Sequence, residues 1–261
     1  MEYLVVCTVA LLAAGLTLVS GFGLGTLLMP AFAIFFPVPA SIAATAIVHL
    51  ASNLFSLGLV ARHADRRMVL LFGVPAAAAA FLGAWLLKSL ATIAPLTIWS
   101  FADHRFEITM VKLVVAVLIF CFALLDLLPI LPKFSIGPRL LPLGGMLSGF
   151  FGGLSGHQGT LRAAFLMRTG VSKETYVGLN CVCGVMVDVA RLLVYGLGIF
   201  TATVAGDRPI RVSLVLAACG AAFAGAFIGS RIIRKVTLGT LRWIVGILLL
   251  LSAVAMGVGI L

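Results

Sequence analysis

The chain has 261 residues, of which 62% are hydrophobic and only 10% charged, and its mean hydropathy is +1.24. One soluble core of this length cannot hide so much apolar surface, so the sequence is that of an integral membrane protein. The net charge of +10 does not point to nucleic acid. Most Lys and Arg fall in short segments between apolar runs, where anchoring to lipid headgroups accounts for them.

Eight apolar runs are each read as a membrane-crossing helix. The first, residues 2–19, starts with an acid and lacks a basic leader, so it is expected to stay as a span and not to be cleaved as a signal peptide. The next are 39–60, which carries His49 and Asn53 four residues apart, then 68–90 and 108–128. The fifth and sixth, 140–151 and 172–200, are joined by the glycine-rich stretch GFFGGLSGHQGTLRAAFLMR, and the sixth carries Asn180, Asp188 and Arg191. Runs 212–232 and 238–260 complete the set. None shows the alternation of a barrel strand, and only helices satisfy their backbone within lipid, so the expected fold is all-α. Basic residues divide almost evenly between the two sides, so they do not fix orientation. The five cysteines are scattered through apolar runs and imply neither a disulfide framework nor a metal site. No cofactor motif and no phosphate-binding Walker A sequence occurs, so direct ATP drive would need a partner subunit.

The chain repeats itself. ADRRMVLLFGVPAAAAAFLGAW (64–85) aligns without gaps on GDRPIRVSLVLAACGAAFAGAF (206–227). Earlier in each half, LVSGFGLGTLLMPAF (18–32) and MLSGFFGGLSGHQGTLRAAF (146–165) share Ser-Gly-Phe, a glycine cluster and Gly-Thr-Leu. Later, Lys112 corresponds to Arg242. The reading is two homologous half-repeats, 1–130 and 131–261, each with a glycine-broken first segment followed by three ordinary spans. Four crossings per half would make the repeats parallel, and a fifth, from a re-entrant break, would make them inverted.

A broken helix leaves free N–H groups and a positive dipole end at the start of the next half-helix, here near Gly25 and near Gly159. Such backbone persists at membrane depth only when it is buried in protein or lines a wet cavity. The two breaks, with Gly23, Gly25, Thr26, Ser155, His157, Gln158 and Thr160, and with Arg162 as a fixed positive charge, form a candidate cradle for a small oxyanion. Gly83 and Gly225 are read instead as close-packing glycines. Polar residues inside apolar spans mark function by default. Asp188 and Arg191, three apart, can pair as a structural staple. Alternatively, Arg162 and Arg191 compensate the substrate's charge while Asp188, His49 or His157 exchanges a proton, with Asn53 and Asn180 in the same polar network.

The motifs GFGLGTLLMP, GFFGGLSGHQGTLRAAFLMRTGVSKE and VDVARLLVYG (187–196) resemble those of the TauE/SafE sulfite exporter family, also described as the toluene-sulfonate uptake permease family. The resemblance covers nearly the whole chain. It implies a multi-pass permease of the bacterial inner membrane that moves organosulfonates, sulfite, sulfoacetate or related small anions. The sequence departs from the simplest family pattern where Leu24 interrupts the first glycine run and where His157 and Gln158 extend the second. A homodimer is compatible with the sequence and not required by it.

Two other classes fit parts of the chain. GLSG (153–156) matches the G-x-S-G pattern of intramembrane serine hydrolases, with Ser155 as nucleophile, but no His follows His157 to serve as a base on a later helix. A passive anion channel would need a polar face running through its spans, whereas polarity here gathers at the two breaks.

Overall fold

The computed structural model describes residues 1–20, 23–60, 64–101, 104–127, 138–205, 210–232 and 238–261. Gly21 and Phe22 of the first glycine cluster, Arg62, Lys133, Arg208, Arg234 and Lys235 of the connections, the side chain of Arg242 and the boundary at 130/131 lie outside them.

Helix α1 (Glu2–Ser20) leads to the break at Gly23 and the short α2 (Leu24–Ala33), followed by α3 (Val38–Val60). Asp65 then caps α4 (Arg66–Met68) by accepting the Met68 N–H at 2.9 Å. One π turn, Val69–Gly73, joins α4 to α5 (Val74–Ala91). After a hairpin come α6 (Met110–Leu127), α7 (Leu141–Ser155), α8 (Gly159–Leu166), α9 (Lys173–Ala205), α10 (Val212–Ile232) and α11 (Leu238–Gly257). The backbone of α9 departs from helical geometry at Gly196 (φ 52°, ψ −165°). Among the described residues four segments are long and apolar enough to cross a membrane, Val38–Gly58, Arg66–Ala91, Glu174–Gly196 and Val212–Arg231, and four shorter apolar stretches accompany them. The large apolar side chains Leu12, Leu70, Leu82, Trp85, Leu193, Leu216, Trp243 and Leu251 all face outward. That pattern is the inverse of a soluble protein and suits a surface solvated by lipid tails.

The hairpin qualifies the expectation of an all-helical chain. Strands β1 (Thr97–Phe101) and β2 (His104–Ile108) pair antiparallel, with Trp99 opposite Phe106 and their rings stacked 4.6 Å apart. Trp99 Nε1 donates to the Val258 carbonyl at 2.9 Å. Lys112 Nζ, one turn into α6, donates to the carbonyls of Glu107 and Gly259 at 2.9 and 3.1 Å. The hairpin is thereby tied to the end of α11.

The principal helix contacts are α5 with α7, α1 with α10, α3 with α9 and α6 with α11. Glycines permit two of these. A Cβ on Gly145, Gly149 or Gly153 of α7 would stand 2.2, 1.9 or 2.2 Å from the carbonyl oxygens of Phe72, Ala76 and Ala80, so these backbones touch directly. Gly83 meets the Phe150 carbonyl the same way, and Gly225 of α10 meets that of Leu11, each at 2.0 Å. The glycine cluster 144–153 therefore does not interrupt its helix. Helix α7 runs through it to Ser155 because its glycines keep helical backbone and face a neighbour.

Candidate functional site

Each chain break depends on one glycine with positive φ. Gly23 (φ 142°) precedes α2, and Gly156 (φ 83°) ends α7 with its N–H donating to the Gly152 carbonyl at 2.9 Å. The breaks abut, since a Cβ on Gly25 would come within 2.8 Å of the Gly156 oxygen. The same Cβ would lie 3.7 Å from the His49 ring, which brings the first break against α3.

Helices α3 and α9 face each other along polar stripes. On α3 the stripe is Ser41, Thr45, His49 and Asn53, and on α9 it is Asn180, Gly184, Asp188, Arg191 and Tyr195. Both follow the three-to-four residue spacing of one helix face. Asp188 sits at the centre. Its Oδ1 accepts from Arg191 Nε at 3.0 Å and Gln158 Nε2 at 3.1 Å, and Arg191 Nη2 forms an ion-pair contact at 2.7 Å. Its Oδ2 lies 2.6 Å from His49 Nδ1 and accepts from Asn53 Nδ2 at 3.3 Å. The same Nδ1 lies 3.0 Å from Asn53 Nδ2, so His49, Asn53 and Asp188 form one contact triangle. Gln158, the residue before α8, uses its other end to accept from Arg162 Nη2. Arg162 Nη1 donates to the Asn180 carbonyl at 2.6 Å and to Asn180 Oδ1 at 3.0 Å. Arg162, Asp188 and Arg191 are 1%, 0% and 0% exposed. Arg162 Nε and His157 Nε2, both buried, have no partner among the described residues.

The remaining residues expected at the site make contacts at or beside the two breaks. Thr26 Oγ1 donates to the Gly23 carbonyl at 2.9 Å, and Ser155 Oγ to that of Phe151 at 3.0 Å. The N–H of Leu24 at the first break is not free but donates to Thr17 Oγ1 at 2.7 Å. His157 stacks on Phe122 at 6.1 Å, with Nδ1 3.1 Å from the backbone oxygen of Ser155. Ser155 and His157 are thus not arranged as nucleophile and base. Thr160 is buried at the start of α8.

Four residues not anticipated from the sequence shape the cluster. A Cβ on Gly184 would stand 2.6 Å from Asn53 Nδ2 and 3.3 Å from Arg162 Nη1, and one on Gly152 would stand 2.7 Å from Gln158 Cβ. Tyr195 OH donates to the Gly153 carbonyl at 2.6 Å, and Ser148 Oγ to that of Gln158 at 2.9 Å. Tyr195 was legible in principle, because it continues the spacing of Asp188 and Arg191 by one turn.

Among the described residues no group of three or more His, Cys, Asp or Glu is placed to hold a metal ion. What remains is a helical, multi-pass membrane protein whose two chain breaks meet at a buried cluster rich in arginine. The sequence pattern of the Sulfite exporter TauE/SafE family matches residues 6–256, and the chain belongs to that family. No curated protein matches the chain. Family membership makes it a protein of a membrane-transporter family associated with sulfur-related anions.

Proposed function

We propose that this chain is a secondary transporter of small anions in the bacterial inner membrane, with organosulfonates, sulfite and related sulfur oxyanions as substrates. One observation carries the reading. Two arginines, Arg162 and Arg191, are buried with a single carboxylate, Asp188, where the two breaks abut. An uncompensated buried cation is costly unless an anion joins it, so the arrangement favours anion entry. Guanidinium groups suit the task, since their planar forks match the oxygens of a sulfonate.

The helix contacts support the eight-span arrangement of two half-repeats, 1–130 and 131–261. Helix α1 packs on α10 as α7 packs on α5, while α3 meets α9 and α6 meets α11. These contacts are interchanged when the two halves are interchanged, as a pseudo-two-fold arrangement requires. Substrate would bind at the centre, on the α3 and α9 stripes, which is where repeat-built transporters bind theirs. The His49–Asp188 contact of 2.6 Å gives transport a place to carry a proton.

The test is uptake of labelled sulfonate and sulfite into proteoliposomes, normalised to folded protein. Arg162→Gln is expected to abolish transport, Arg162→Lys to retain part of it, and Arg66→Gln, on an exposed residue, to leave it unchanged. Normal transport by Arg162→Gln would remove Arg162 from the site.

A further inference from the structure

We infer that the cluster is matched to a singly charged oxyanion, which for sulfite is the hydrogen-sulfite form, and discriminates against dianions of the same shape. This rests on the anion-transport reading above and adds the charge of the substrate to it. Among the described side chains Asp188 is the one buried acid, while Asp65, Glu107 and Glu174 are exposed at element ends. Arg162 and Arg191 against Asp188 leave a surplus of one positive charge, the imidazole of His49 being left out of the count. Gln158 links Arg162 to Asp188 without changing that number, since it donates to Asp188 and accepts from Arg162. Arg162 Nε and His157 Nε2 supply buried polar atoms not engaged by other described residues. A monoanion brings the cluster to neutrality. A dianion leaves one negative charge in the apolar bundle, and a neutral ligand leaves the positive one.

Three probes of nearly one shape separate these cases: dimethyl sulfone, methanesulfonate and sulfate, carrying no, one and two negative charges. They share a tetrahedral sulfur and differ in whether methyl or oxygen fills two of its corners. Binding is measured by calorimetry on the purified full-length protein at mildly alkaline pH, where a free imidazole is neutral. Methanesulfonate is expected to bind about tenfold or more tightly than either other probe, a difference of about 1.4 kcal/mol. Isosteric substitutions then move the charge. Gln158→Glu removes the surplus and is expected to abolish methanesulfonate binding. Asp188→Asn doubles it and is expected to turn the preference toward sulfate. The two changes together relocate the carboxylate within the cluster and are expected to restore the preference for methanesulfonate. His49→Gln, which alters no charge in this count, is expected to keep the order of the three probes.

Sulfate binding to the unmodified protein as tightly as methanesulfonate would overturn the inference while leaving anion transport intact. A changed order in His49→Gln would overturn it as well, by showing that the imidazole contributes charge. Failure of both anions to bind would instead overturn the transport reading on which the inference rests. The three-probe series on the unmodified protein decides the matter even where a variant does not fold.

Discussion

Asp188 and Arg191 form a pair whose two members should not be equally expendable. Replacing Arg191 with Gln leaves Asp188 with His49 at 2.6 Å, Gln158 at 3.1 Å and Asn53 at 3.3 Å. Three donors still face the carboxylate, so the expected loss is about 1–3 kcal/mol, the range for disturbing one buried polar partner. Replacing Asp188 with Asn leaves Arg162 and Arg191, 1% and 0% exposed, without their carboxylate. That change should cost about 3–5 kcal/mol, the range for breaking a buried ion pair from one side. In thermal unfolding of detergent-solubilised protein these values correspond to shifts of roughly 2–12 °C for Arg191→Gln and 6–20 °C for Asp188→Asn. The double change Asp188→Asn with Arg191→Gln removes both charges and should lose at least about 1 kcal/mol less than the sum of the singles. Single changes that both stay within about 0.5 kcal/mol of the unmodified protein, or a strictly additive double, would refute the buried network. The same double variant in proteoliposomes addresses coupling. Full transport driven by a proton gradient would rule out Asp188 as the proton carrier.

Two further outcomes follow from the packing and from the alternative chemistry of the second break. Gly149→Ala places a methyl 1.9 Å from the Ala76 oxygen and should lower stability by about 1–3 kcal/mol through forced separation of α5 and α7, whereas Gly58→Ala, with nothing within 4 Å, should be nearly silent in the same unfolding assay. Ser155→Ala removes a hydroxyl bonded only to its own helix, at the Phe151 carbonyl, so sulfonate uptake should persist, and its complete loss would put Ser155 back among the groups that contact substrate.

Much of the architecture was readable because its signals are local. Apolar length marks helices such as α3 and α10, and the glycine before Leu24 marks a break in one short window of sequence. The same residue type misled at 144–153, since glycine lets a chain turn and lets two helices touch, and only the neighbour decides which. Ala76 opposite Gly149 is that neighbour, and nothing near Gly149 in the sequence announces it. TIWSF and HRFEI suit paired strands, but five-residue elements give no signal on the scale of membrane-length apolar runs, so the hairpin does not stand out in the sequence. At the site, the spacing of Asp188 and Arg191 indicated their pairing, and that of His49 and Asn53 their common face. The meeting of His49 with Asp188 was not legible, because they are 139 positions apart and brought together by the packing of α3 on α9.

The exchange of partners between the two ends of the chain bears on how such a protein could be taken apart or set in motion. The first helix rests on α10, contributed by the later half, and α7 of that half rests on α5 of the earlier one, in both cases backbone against backbone. Neither half by itself would hold a closed surface. Expressed as separate pieces, each would present an unlined groove shaped for a helix of the other, and the pieces would be recovered as a complex or degraded. For the same reason a motion that exposed Asp188 to one side of the membrane could not be one half rocking as a block against the other. The stiff bodies would be the glycine-locked pairs α1 with α10 and α5 with α7, each built from both halves, and the compliant seam between them would be the polar stripe of α3 on α9.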